Sequence, residues 1–150
     1  RIEEVVTRLA RVGYDNTIGY LQGGFNAWKE ANKPVDMIEH ITPQQLAERY
    51  AHEKGDINIV DVRRPKEFSA EHVDGAMNLP LDNINTNMAE WPKDKAVYAH
   101  CKSGFRSLIA NSILRSRGYT NIIDVLEGFE GLLETDIPVT DYVCPTTQAD

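Results

Sequence analysis

An α/β fold with a five-stranded, mainly parallel sheet and helices on both faces is predicted by two observations. Short runs rich in β-branched residues alternate with helix-length segments, the pattern of a parallel sheet whose crossovers cover both faces. The helix-length segments also carry their own start or stop signals. Met37 to Ile41 reads as extended and leads into Thr42-Pro43-Gln44-Gln45. There Thr42 supplies an N-cap, Pro43 the first helical residue and Gln45 the reciprocal cap. This helix is expected to reach about Lys54 and stop at Gly55. Ile57 to Val62 (INIVDV) lacks Gly and Pro and reads as a buried strand. Arg64-Pro65 opens a short helix through Phe68, and Ala76 to Leu79 is a short strand between Gly75 and Pro80. Ala96 to His100 (AVYAH) is the next strand. A loop after Cys101 leads into a helix ending near Arg117, with Gly118 in left-handed geometry behind it. Asn121 to Leu126 is the fifth strand. In such sheets functional loops lie at the carboxyl ends of strands.

Comparing the chain with itself brings Leu9 to Gly23 (LARVGYDNTIGYLQG) onto Leu114 to Gly128 (LRSRGYTNIIDVLEG). Skipping Gly24 then aligns Phe25, Pro34 and Val35 with Phe129, Pro138 and Val139. Residues 36–105 have no counterpart ahead of Arg1. Residues 1–35 are therefore expected to be the C-terminal fragment of a preceding repeat, with at most one strand and two helices. Residues 36–140 form one complete repeat and residues 141–150 a tail. A length of 150 residues suits one domain plus such a fragment.

With 16 Lys and Arg against 23 Asp and Glu, the net charge is −7, which argues against nucleic acid and anionic membrane as main partners. No apolar run approaches the roughly 18 residues of a membrane span, and residues 1–12 lack the apolar core of a secretory signal. A soluble, cytoplasmic protein is expected. Cys101 and Cys144 match neither a disulfide framework nor a zinc-site spacing.

The stretch CKSGFRS, Cys101 to Ser107, sits at a strand-to-helix junction. Free N–H groups of the first helical turn favour an anion there, and Gly104 lets the loop curl so that several of them converge. A thiolate beside Lys102 and Arg106 is expected to ionise below the free-cysteine value of about 8.5. The fork of Arg106 suits an anionic substrate or leaving group. A buried, inert cysteine is the alternative.

The sequence resembles a rhodanese domain. Ile59 to Pro80 (IVDVRRPKEFSAEHVDGAMNLP) is similar to the family's N-terminal signature, Cys101 to Arg106 to its CxxGxR loop, and Gly118 to Phe129 (GYTNIIDVLEGF) to its C-terminal signature. Residues 21–28 (LQGGFNAW) resemble the end of a second such domain. The resemblance implies two-step sulfur transfer through a Cys101 persulfide, from thiosulfate or a low-molecular-weight persulfide to a thiol or other thiophile, with no metal or organic cofactor. It implies Lys102, Ser103, Gly104, Phe105, Arg106 and Ser107 as the substrate-binding loop, with Asp61 and Glu67 as supporting polar residues and Arg63 reaching the substrate. Fusion proteins in which a metallo-β-lactamase-fold persulfide dioxygenase precedes rhodanese domains are also similar, which implies such a partner domain in the full-length protein.

Two rival readings remain at this point: a phosphatase or arsenate reductase, and a non-catalytic rhodanese module. Against the first, Arg106 stands five positions after Cys101, whereas the phosphatase pattern CxxxxxR has six. His100 should point away from Cys101 by strand alternation, and His72 should order its loop. Cys144 reads as part of the polar tail, with a resolving thiol as the alternative. Trp28 and Trp91 read as packing residues. The apolar residues of the 1–35 segment need cover, from the complete domain or by exchange in a homodimer.

Overall fold

The computed structural model describes residues 1–144 except 12, 14 and 54. The chain divides into two compact units, Arg1–Met37 and Ile38–Asp150. The first holds α1 (Ile2–Ala10) and α2 (Gly24–Glu30), and neither helix has a buried residue. The segment aligned with the fifth strand forms no strand among its described residues, within the limit of at most one. A strand needs a neighbour to accept its ladder of hydrogen bonds, and this unit offers none. Trp28 is 40% exposed and its indole N–H donates to the Pro34 carbonyl.

The second unit runs β1 (His40–Ile41), α3 (Pro43–His52), β2 (Asn58–Asp61), α4 (Pro65–Ala70), β3 (Met77–Asn78), β4 (Val97–His100), α5 (Phe105–Ser116), β5 (Ile122–Val125) and α6 (Gly128–Leu132). Two 3-10 turns, Leu81–Asn83 and Met88–Glu90, link β3 to β4. The sheet order is β1-β5-β4-β2-β3 and every pairing is parallel, so "mainly parallel" becomes wholly parallel. The capping box forms as read: Gln45 N–H donates to Thr42 Oγ1 at 3.2 Å and Thr42 N–H to Gln45 Oε1 at 3.0 Å. Helix α3 ends at His52, and Gly55 turns with φ 81°. The strands are shorter than expected at their ends. Of the first, only His40–Ile41 forms strand, with Glu39 accepting one further bond from β5, and Met37 is exposed. The short helix α4 instead runs longer, to Ala70. The tail begins with exposed Asp141–Cys144, and the rest of it lies outside the described residues.

Strand alternation sorts the core into two layers. Val60, Val62, Val97, Ala99, Cys101 and Ile122 pack with Ala110 and Leu114 of α5 and with Trp91. Ile59, Tyr98 and Val125 pack on the other face with Leu46 of α3 and with Phe129 and Leu132 of α6. Leu46, Leu114 and Leu132 are fully buried. Each such side chain contributes roughly 1.5–3 kcal/mol of transfer free energy. The buried residues of both layers all lie between Ile41 and Ile137. Deleting residues 1–37 should therefore leave a folded monomer with cooperative thermal unfolding. Light scattering and circular dichroism check this, and an unfolded product would move the domain boundary upstream.

Candidate active site

Strand β4 lies between β2 and β5, at the centre of the sheet, and delivers Cys101 to its carboxyl end. Alternation puts the Cys101 side chain on the α5 face, with Val97 and Ala99. His100 turns to the opposite face, where its ring stacks 6.0 Å from Phe129 and its Nδ1 lies 3.2 Å from the Cys101 carbonyl. Burial pushes its imidazole below the ordinary value, despite the Asp61 charge. It has no line to the sulfur.

The loop curls around the Cys101 sulfur. Gly104, at φ 97°, turns its N–H onto Sγ at 3.2 Å. The amides of Ser103 and Ser107 also donate to the sulfur, and the Ser107 hydroxyl lies 3.7 Å from it. One of these peptide planes, that of Ser103, is held at its opposite edge by α6. Phe129 N–H donates to the Cys101 carbonyl at 2.7 Å and Glu130 N–H to the Lys102 carbonyl at 3.0 Å. In a trans peptide the C=O and N–H point in opposite directions, so anchoring the Lys102 carbonyl outward turns the Ser103 N–H inward. Burial alone would raise the Cys101 thiol pKa, but the donors from Ser107, Ser103 and Gly104 outweigh it and the net shift is downward. Alkylation of Cys101 by iodoacetamide should accordingly show a midpoint below the free-thiol value of about 8.5. A midpoint at or above that value would remove the electrostatic argument.

The cations are arranged differently from the expectation. Arg106 is locked in a two-pronged pair with Glu67, Nη1 to Oε2 at 2.6 Å and Nη2 to Oε1 at 2.8 Å. That hydrogen bond, working against partial burial, takes the Glu67 carboxyl down to about 2. Lys102 is exposed and lies 3.5 Å from Glu130. Both positive charges thus have carboxylate partners, Arg106 also interacts electrostatically with Cys101, and the hydrogen bonds to the sulfur come from backbone and hydroxyl donors. Arg63, expected to reach the substrate, is instead buried: Nε and Nη2 hold Asp61 at 2.8 and 2.7 Å, and Nη2 donates to the Glu71 carbonyl. Its guanidinium sits 4.0 Å over the Phe129 ring, beneath α6. Strand alternation explains this, since Asp61 shares the face of Ile59 and the short turn after it carries Arg63 back over its carboxylate. Asp61 supports the sheet end through Arg63, while Glu67 supports the loop through Arg106. Phe105 is 80% exposed at the rim and Ser103 is exposed beside it.

Several contributing residues escape the sequence reading. Asn78 donates to the carbonyls of Asp61 and Arg63, tying β3 to the site. Gly128 packs against the loop carbonyls, and Asp124 of β5 lies buried, in register with Ala99 of β4. An aspartate within the otherwise apolar IIDV was a readable signal. His72 stacks on Phe68 and bonds its carbonyl, away from the cradle. Cys144 is exposed. Among the described residues no three His, Cys, Asp or Glu side chains are grouped to hold a metal ion, and no helix is long and apolar enough to cross a membrane.

A parallel α/β domain with a cysteine sulfur held by amides between a central strand and a helix defines a class of thiolate-cradle domains. Within that class the chain belongs to the rhodanese-like domain family, whose model matches residues 42–135. It is 31% identical over 103 residues to a protein named sulfurtransferase from Allochromatium vinosum, covering 69% of this chain and 95% of that one. It is 36% identical over 81 residues to the thiosulfate sulfurtransferase PspE of Escherichia coli, covering 53% of this chain and 74% of the relative. The crystal structure of a rhodanese-related protein from Thermoplasma volcanium superposes with a TM-score of 0.58 at 25% identity, over 68% of this chain and 97% of that one. Longer relatives also match: the chain spans 23% of the probable adenylyltransferase/sulfurtransferase MoeZ of Mycobacterium tuberculosis.

Proposed function

We propose that the protein is a rhodanese-type sulfurtransferase that carries sulfane sulfur as a Cys101 persulfide. The observation carrying this reading is the ring of N–H and O–H donors around a sulfur with a lowered pKa. The Cys101 thiolate attacks the outer sulfur of thiosulfate, a new S–S bond forms, and the old one breaks with its electron pair leaving on sulfite. With a low-molecular-weight persulfide the same step expels a thiolate. A thiophile such as cyanide or a thiol then attacks the terminal sulfur, and the electron pair of the Cys101 S–S bond returns to the cysteine. The donors stabilise the thiolate at the start and end and the terminal sulfur in between.

Because Lys102 and Arg106 already hold carboxylates, a dianionic donor gains little from them, and a low-molecular-weight persulfide suits the site as well as thiosulfate does. A reducing, cytoplasmic setting that keeps the thiol available belongs to this reading, as do the metallo-β-lactamase-fold partner domain and a homodimer through residues 1–35. Intact-mass measurement after incubation with thiosulfate should show a gain of one sulfur atom, located at Cys101 by peptide mapping and removed by cyanide. No adduct with either donor class would overturn the proposal.

A further inference from the structure

On the face of the sheet opposite the sulfur lies a buried ring that the transfer does not use. His100 is fully buried, and its Nδ1 lies 3.2 Å from the Cys101 carbonyl oxygen. Phe129 N–H donates to the same oxygen at 2.7 Å, so both of its lone pairs are engaged. His100 Nε2 is buried with no hydrogen-bond partner among the described residues. The ring stacks on Phe129, and Asp61 stands beside it in register on β2. That carboxylate already has three donors from Arg63: the backbone N–H at 2.9 Å to Oδ1, and Nε and Nη2 at 2.8 and 2.7 Å to Oδ2.

These contacts decide where the imidazole keeps its hydrogen. A carbonyl oxygen only accepts, so the Nδ1 contact is a hydrogen bond only when Nδ1 carries the hydrogen. The other neutral tautomer would set a ring lone pair against the carbonyl and also bury an Nε2–H without an acceptor. An imidazolium would bury the same orphan N–H together with a positive charge near Arg63. Burial accordingly holds the ring below its ordinary pKa, with Asp61 and the Cys101 carbonyl opposing it incompletely and Arg63 adding to it.

We propose that His100 is a positioning residue for Cys101: its neutral imidazole, with hydrogen on Nδ1 and none on Nε2, donates to the Cys101 carbonyl. Together with Phe129 N–H it fixes the peptide by which the chain leaves β4 for the cradle. The next two peptides supply the Ser103 and Gly104 amides to the sulfur, so rotation of the first would carry their N–H groups off it.

The inference rests on the sulfurtransferase reading for its purpose, but its test needs no sulfur donor, so the two can fail separately. In the isotope-labelled full chain carrying Cys144→Ser, long-range proton–nitrogen correlation spectroscopy at neutral pH should show His100 protonated at Nδ1 and bare at Nε2. Loss of the signal in His100→Asn assigns it. A bare Nδ1, or two protonated nitrogens, would overturn the proposal whatever the variants do. The pH midpoint of iodoacetamide alkylation then reports the Cys101 thiolate. His100→Leu cannot donate and should raise that midpoint by roughly half a pH unit with unchanged circular dichroism. His100→Asn, whose amide nitrogen takes the place of Nδ1, should restore it. A folded His100→Leu with the parent midpoint, or an equal shift in both variants, would overturn the proposal. If His100→Leu does not fold, the tautomer measurement decides alone.

Discussion

Cys101→Ser should reduce thiosulfate:cyanide sulfur transfer by roughly a thousandfold or more, to background. A serine hydroxyl occupies nearly the same space and can accept from the Gly104 amide as the sulfur does, so the fold and the loop should survive, and circular dichroism should be unchanged. What disappears is the chemistry. The hydroxyl stays protonated at neutral pH, and oxygen cannot hold a transferable sulfane sulfur by an S–S bond. The measurement is the rate of thiocyanate formation with saturating thiosulfate and cyanide. Cys144→Ser, at the exposed second cysteine, should retain the first turnover. More than a trace of activity in Cys101→Ser would mean that another nucleophile carries the sulfur, and with it the account of the cradle would fall.

The parts of this site that are legible in the sequence are those fixed by local chemistry. Thr42-Pro43-Gln45 encodes its own helix start, and INIVDV its own strand, because caps and β-branched runs act over a few residues. CKSGFR similarly announces a loop that must turn at Gly104. What is not legible depends on contacts distant in sequence. Arg106 reads as a substrate clamp in the sequence, and only the fold shows that Glu67, brought over by α4, holds both prongs of its guanidinium. Arg63 looks like a reaching cation until the sheet turns it under Phe129. The end strands are read too long for the same reason. Met37 and its neighbours are compatible with extension, but β5 offers pairing only to Glu39, His40 and Ile41. In residues 1–35 the sequence of a strand is present and its neighbour is not, so an aligned segment that is a strand in one unit is none in the other.

The second large effect is expected from a position with no functional group. Gly128→Ala should destabilise the domain by about 2–5 kcal/mol and impair sulfur transfer with it. Gly128 adopts φ 59°, where a side chain costs about 1–2 kcal/mol in any surroundings. Here the surroundings add a collision, since a Cβ would lie 2.5 Å from the Cys101 carbonyl oxygen and 2.7 Å from that of Lys102. Neither oxygen can simply step aside. They accept the Phe129 and Glu130 amides, and the Lys102 carbonyl sets the direction of the Ser103 N–H. Relief must therefore come from moving α6 away from the loop or from rotating peptides of the cradle. Either change weakens donation to the sulfur, so the alkylation midpoint of Cys101 should rise as the melting temperature falls. Glu127→Gly supplies the contrast, because Glu127 is also left-handed, at φ 61°, and glycine there removes backbone strain. Its stability and turnover should stay close to wild type. If Gly128→Ala instead keeps both the wild-type melting temperature and the wild-type thiocyanate rate, the clamp of α6 on the loop carbonyls is not what shapes the cradle.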